Sequence, residues 1–291
     1  MIINFIRGLV MALADSVPGV SGGTIAFIMG FYDKFINALD GIFYGNRNTK
    51  IKSIKFLIKL GIGWVVGMIL ATLILTSLFE KKIYVVSSLF LGFIIFAIPL
   101  IIKEEKDSLK GKYINLIFSI IGIAIVVLIT YLNPVSGGDA VNIKTLNLGM
   151  IIYLLVVGMV AISAMILPGI SGSTLLLIFG VYIPIMTGIK EVLHFNFTYF
   201  PALCVFAIGV ILGILLIIRL IKVALKKFRS QTIYLILGLM IGSIYAIIMG
   251  PTTLEKAQDP MSLQTFNILF FIIGGVVIIG LDKLKAVLNN K

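Results

Sequence analysis

The sequence predicts an all-α integral membrane protein built as an inverted-topology tandem repeat, each repeat a re-entrant helix hairpin followed by three transmembrane helices. Three observations lead there. The 291 residues are 60% hydrophobic and 12% charged, with a mean hydropathy of +1.16, and several apolar runs reach the roughly 20 residues needed to cross about 30 Å of hydrocarbon. A polar interruption, "DSVPGVSGGT" at 15–24, returns as "MILPGISGST" at 165–174. The basic residues gather in alternate loops.

Taken in order, repeat one covers 1–140 and repeat two 147–291. The first opens with a hairpin over 2–38 (arms 2–14 and 22–38) and continues with spans at about 58–79, 84–102 and 113–132. The second opens with a hairpin over 148–188 (arms 148–166 and 174–188), followed by spans at about 202–221, 232–250 and 266–281. At 1.5 Å per residue most of these arms are too short to cross, although 148–166 is long enough. Aligning residue n with n+150 pairs Pro18/Pro168, Gly19/Gly169, Ser21/Ser171, Gly22/Gly172, Thr24/Thr174, Gly30/Gly180 and Tyr32/Tyr182. An offset of 146 pairs Gly63/Gly209, Gly67/Gly213 and Gly92/Gly238. Such self-similarity marks a repeated structural unit. The Gly63/Gly67, Gly209/Gly213 and Gly238/Gly242 pairs fit close helix packing. The "NPVSGGD" stretch at 133–139 reads as a polar linker between the repeats.

Parity sets the topology. A hairpin returns the chain to its starting side and three spans reverse it, so the second copy enters the membrane upside down. With 34–59 placed in the cytoplasm, most of the 24 Lys and Arg residues fall inside: Arg7, Lys34, the group from Arg47 to Lys59, Lys103 to Lys112, Arg219 to Arg229, and Lys283, Lys285 and Lys291. Lys81, Lys82, Lys144, Lys190 and Lys256 fall outside. That bias predicts a multi-pass plasma-membrane protein with both termini cytoplasmic.

Composition excludes several functions. The net charge of +12 lies in short loops, with no basic stripe interleaved with aromatics, so nucleic acid is not the partner. A single cysteine, Cys204, rules out an internal disulfide and a cysteine metal cluster, and a single histidine, His194, argues against a histidine metal site. No nucleotide motif or cofactor site is visible. The "ALA" at 12–14 resembles a signal-peptidase site, but no basic n-region precedes it and Arg7 splits the apolar stretch, so an uncleaved segment is expected.

The chemistry concentrates at the two interruptions. Proline ends one helix, glycine permits a tight turn, and the next helix begins near Gly22 or Gly172. Its first N–H groups lack intrahelical partners and carry the positive end of the helix dipole, an arrangement suited to an anion. The candidate seat comprises Ser16, Gly19, Ser21, Gly22, Gly23 and Thr24 from the first copy and Gly169, Ser171, Gly172, Ser173 and Thr174 from the second. Arg219, within "LLIIRLIKVALKKF", is a phosphate partner or a residue snorkelling to the surface, and Arg7 stands under the same alternatives. The other reading of P-G-x-S-G is a helix break whose hydroxyls cap the next helix. Irregular backbone within a membrane has to line a cavity or pack inside protein, and two matched copies favour a ligand site. Asp15, whose counterpart is Met165, is either a carrier of a coupling proton or sodium ion, a group that repels the bound anion, or a simple cap.

"DSVPGVSGGT" with "GFYDKF" (30–35), and "ILPGISGST" with "GVY" (180–182), resemble the paired signatures of the polyprenyl-phosphate translocase family PopT. "RLIKVALKKF" (219–228) and "TIYLILGLMIGSI" (232–244) are also similar to its second half. Ile183 stands where the family's second copy often carries an acid. The resemblance implies a flippase returning undecaprenyl phosphate from the outer to the cytoplasmic leaflet for cell-envelope polysaccharide synthesis, by alternating access and without enzymatic chemistry. Its partners would be the lipid and the bilayer, with a homo-oligomer left open. The residues alone also admit a secondary transporter of a small soluble anion. An intramembrane polyprenyl-diphosphate phosphatase fits less well, because the turns carry glycine and serine where phosphate hydrolysis wants arginine and glutamate. A purely structural membrane partner would not need two matched polar breaks.

Overall fold

A computed structural model of the chain describes residues 2–15, 21–70, 76–132, 141–253 and 257–289. Among them every regular element is a helix, and six helices are long and apolar enough to cross a membrane. The first half runs α1 (Ile2–Asp15), α2 (Gly22–Ile28), α3 (Tyr32–Tyr44), α4 (Arg47–Leu70), α5 (Thr76–Glu104), the single turn α6 (Lys106–Leu109) and α7 (Leu116–Tyr131). The second half runs α8 (Leu148–Ile166), α9 (Gly172–Ile178), α10 (Tyr182–Leu193), α11 (Phe200–Lys227), α12 (Arg229–Met249) and α13 (Ile268–Asn289).

The expected second arms, 22–38 and 174–188, are each two helices. Both break at a left-handed glycine, Gly30 (φ 63°) and Gly180 (φ 62°). The same pair of bonds closes each break: Gly30 N donates to Phe27 O and Phe31 N to Ala26 O, while Gly180 N donates to Leu177 O and Val181 N to Leu176 O. This is the Schellman arrangement, which only a residue without a Cβ adopts freely. The Gly30/Gly180 identity in the repeat was the signal for it.

Helix ends elsewhere also depart from the apolar windows. Among the described residues α4 covers 47–70 rather than 58–79, because the "RNTKIKSIK" stretch continues the helix outside the apolar core. Likewise α11 runs on to Lys227 and α13 to Asn289, its apolar part being Ile268–Gly280. α5 changes direction at Lys82 (φ −142°, ψ 38°), and its apolar span is Lys82–Glu104. α8 has 19 residues, long enough to cross, and ends where Leu167 (ψ 133°) precedes Pro168, a position that proline keeps out of the helical region.

The two halves repeat their pairings. α1 lies along α4 as α8 lies along α11, and the last long helix of each half packs on the other half, α7 on α12 and α13 on α5. Glycines make these seams. A Cβ at Gly63 or Gly67 would strike the α1 backbone at Phe5 or Leu9, and one at Gly209 or Gly213 the α8 backbone at Leu155 or Met159. Gly122 and Gly238 face each other's helices between α7 and α12, as Gly92 and Gly274 do between α5 and α13. In lipid the apolar effect does not hold helices together, so close backbone approach supplies the attraction. Gly238→Leu, which drives a side chain into the Ser119 backbone, is expected to lower stability by about 1–3 kcal/mol in detergent thermal unfolding, whereas Gly280→Leu, which meets open space, leaves the midpoint unchanged.

Candidate functional site

The second helix of each interrupted unit starts where the sequence predicts, at Gly22 and Gly172. Ser21 is extended (φ −131°, ψ 153°), and its Oγ accepts from Thr24 N at 3.3 Å, an N-cap in the ordinary sense. Ser16 and Gly19 lie outside the described residues, as does Pro18.

Asp15, the last residue of α1, folds back over this start. Its carboxylate accepts from Gly22 N at 2.6 Å and from the indole N–H of Trp64 on α4 at 2.8 Å. The Gly22 amide is therefore not bare in this conformation: the Asp15 carboxyl group sits on the start of α2. Trp64, the chain's single tryptophan, is a site residue that sequence reasoning missed, since nothing local links positions 49 residues apart. In the second half Met165 takes the equivalent place, and a Cβ on Gly172 would meet its side chain, with Sδ 3.0 Å away. A thioether is a weak acceptor, so α9 starts without the carboxylate that covers α2.

The two breaks meet. Gly169 N donates to Thr24 Oγ1 at 2.8 Å, Thr24 and Ser21 share a hydroxyl–hydroxyl bond of 3.1 Å, and Ser21 Oγ donates to Leu167 O at 3.1 Å. Each hydroxyl donates once along this chain, so the two turns satisfy one another's backbone. Tyr32 Oη, at the start of α3, donates to Ile166 O at 3.3 Å. Gly23 lets α2 approach so closely that any Cβ there would strike the Ile166 carbonyl. Gly169 (φ +87°) presses on Leu239 of α12, where a Cβ would lie 2.5 Å from backbone. Ser21, Thr24 and Ser171 are buried, whereas Thr174 is half-buried. Ser173 lies at the second position of α9.

Not every predicted residue joins them. Arg219 is exposed on α11, its guanidinium 5.2 Å from the Tyr44 ring, beside a cavity of about 340 Å³ that Lys222, Lys226 and Lys227 also line. Lys222 is ion-paired with Asp40. Arg7, on α1, is half-buried. Its guanidinium stacks 4.5 Å from the Phe31 ring, Nη1 donates to Asn4 at 3.3 Å, and Nε is buried without a hydrogen-bond partner. Phe31 adjoins Tyr32, which bonds the second break. A different set of charges closes one end of the bundle: Arg229 pairs with Glu105 at 2.5 Å and with Asp33 at 3.1 Å, tying the start of α12 to the α5–α6 junction and to α3. Asp33 is the acid that Ile183 replaces in the second copy. Among the described residues no cluster of His, Cys, Asp or Glu is arranged to hold a metal ion.

Six apolar helices long enough to cross, α8 of the second interrupted unit among them, together with two interrupted units that meet at a buried polar junction, define a multi-pass, all-α membrane protein. Residues 11–265 match the VCA0040-like family, described as undecaprenyl phosphate translocase-like, and the chain belongs to that family. It is 36% identical to a polyprenyl-phosphate transporter of Staphylococcus aureus (strain NCTC 8325 / PS 47), over 98% of this chain and 97% of that protein. It is 29% identical to a polyprenyl-phosphate transporter of Vibrio cholerae serotype O1 (strain ATCC 39315 / El Tor Inaba N16961), over 83% of this chain and 75% of that protein. No solved structure matches it significantly.

The junction makes one stability test specific. Thr24→Val keeps the shape but leaves the Gly169 N–H buried and unpaired, and is expected to cost about 1–3 kcal/mol in detergent unfolding. Thr24→Ser, which keeps the hydroxyl, is expected to recover most of that loss.

Proposed function

We propose that this chain moves polyprenyl phosphate across the plasma membrane, from the outer to the cytoplasmic leaflet, by alternating access at the junction of the two breaks. Two relatives named as polyprenyl-phosphate transporters, one matched over nearly its full length, support the substrate. The observation carrying the mechanism is the hydrogen-bonded chain from Gly169 through Thr24 and Ser21 to Leu167. In this reading α1 and α8 enter from opposite faces as members of an inverted repeat. Their rises, about 21 Å for 14 residues and about 28 Å for 19, let tilted helices end together inside a membrane about 40–45 Å thick with its headgroups.

The phosphate takes the place of interactions the protein makes with itself. Asp15 holds the Gly22 amide in the resting state, and the headgroup competes for it as Asp15 leaves, after taking a proton or ion. Ser21, Thr24, Gly169, Ser171, Gly172, Ser173 and Thr174 supply hydroxyls and amides as the breaks separate, and Arg7, with its unpartnered Nε, supplies positive charge from below. Ser16, Gly19 and Gly23 complete the proposed phosphate seat. The polyprenyl tail stays in lipid throughout. Arg219 acts outside the junction, at the surface. Nothing in this scheme breaks a covalent bond, which separates it from a phosphatase, and the apolar tail separates it from a carrier of soluble anions.

The test is a leaflet-resolved assay in liposomes with fluorescent polyprenyl phosphate. Wild type is expected to equilibrate the lipid without ATP. Arg7→Gln is expected to slow it by roughly 10–100-fold, the worth of a hydrogen bond to a charged group. Asp15→Asn is expected to transport at a rate independent of pH and sodium gradient. An Asp15→Asn protein with wild-type gradient dependence would remove the coupling role, and unchanged flipping in Arg7→Gln would remove the arginine from the seat.

A further inference from the structure

A second feature lies on the far side of α12 from the junction. α7 is drawn onto α12 through Gly122, Gly238 and Gly242, and α5 is drawn onto α13 through Gly92 and Gly274. α5 and α7 form no extended seam of their own. Between them a groove of about 720 Å³ remains, floored by Tyr234, Leu237 and Ile241 of α12 and walled by apolar residues of α5 and α7. Leu239, two residues from Leu237, presses on Gly169 instead, so the groove and the breaks occupy opposite faces of one helix.

The groove has a chemically distinct mouth. Lys106, Lys110 and Tyr113 line one end, and among the described residues the two lysines are its only charged lining groups. Both are exposed, and neither joins the ion pairs found among the described residues. The polar groups of the floor are already used: Tyr234 Oη donates to Leu109 O at 3.3 Å and Ser119 Oγ to Tyr234 O at 2.6 Å. Nearby Glu105 is held by Arg229, and Glu104 and Asp107 do not line the cavity. An apolar trough that ends in two unpaired ammonium groups, at the border of an apolar span, complements a molecule with a hydrocarbon chain and an anionic head. Its volume lies within the roughly 300–1,000 Å³ typical of ligand pockets.

We propose that this groove holds one anionic phospholipid of the surrounding bilayer, an acyl chain along Ile98, Ile120, Ile123 and Leu237 and the phosphate between Lys106 and Lys110. Basic pockets between membrane helices bind anionic headgroups through the same combination of charge and apolar contact. The site is separate from the junction and stands or falls independently of the transport reading. By filling the gap beside α12, the bound lipid braces the helix on which Gly169 rests.

The test is native mass spectrometry of the protein purified from membranes containing equal amounts of phosphatidylglycerol and phosphatidylcholine with matched chains. Wild type is expected to retain one phosphatidylglycerol and no phosphatidylcholine. K106E/K110E is expected to reduce that retention by about tenfold or more, and Ile120→Trp, which fills the exposed wall, is expected to abolish it. K226E/K227E, altering the other basic cluster, is expected to retain the lipid as wild type does. Equal retention of both lipids, undiminished phosphatidylglycerol in K106E/K110E, an equal loss in K226E/K227E, or displacement by equimolar polyprenyl phosphate would each overturn the assignment. Flipping measured on the same preparations reports separately on transport.

Discussion

Inside a bilayer a broken helix has no water to satisfy the amides and carbonyls it releases, and each such group left alone costs several kcal/mol. This chain breaks twice and lets each break satisfy the other. The threonine and serine of the first turn bridge to the amide of Gly169 and the carbonyl of Leu167 in the second. Gly23 is glycine because any larger residue would strike the Ile166 carbonyl and hold the two breaks apart, and Gly169 because one would strike the α12 backbone at Leu239. The glycine-lined seams of α1 on α4 and α8 on α11 bring the turns to the same place. The arrangement is closed in the described conformation, so its polar groups are satisfied and also committed.

The halves are alike in backbone and unlike in charge. Gly22 and Gly172 start equivalent helices, but one is covered by the carboxylate of Asp15 and the other by the thioether of Met165. Asp33 binds Arg229, while its counterpart Ile183 is exposed and apolar. Thr24 is sealed, Thr174 half-open. A transporter whose two faces were chemically identical would have no built-in difference between its resting states. In our reading these substitutions bias which side opens.

How much of this the sequence discloses follows from the range of each interaction. Proline and glycine act on their own backbone, so both breaks and the starts at Gly22 and Gly172 could be read directly, and the repeat made them conspicuous. The turns at Gly30 and Gly180 were equally local, yet apolar periodicity runs through them and masks two helices as one. Hydropathy located five of the six long apolar helices but not their ends, because charged residues such as those of 47–59 extend a helix into water without interrupting it; the sixth is α8, read as a hairpin arm long enough to cross, while the apolar part of α13 is the shorter Ile268–Gly280. Long-range pairings left no mark in the pattern: Asp15 with Trp64, Tyr32 with Ile166, Arg229 with Glu105. Arg219 reads from its apolar run as either a phosphate partner or a snorkelling residue, and its exposed place beside Tyr44 depends on helix packing that the run does not encode.

The central claim is that the two breaks touch at rest and must part for the headgroup to pass. Ser21→Cys with Leu167→Cys, in a chain whose Cys204 is replaced by serine, allows a cross-link at that contact. The account predicts that the bond forms in native membranes, that cross-linked protein no longer flips polyprenyl phosphate, and that reductant restores it. Failure of the pair to cross-link, or undiminished flipping once it has, would contradict the account.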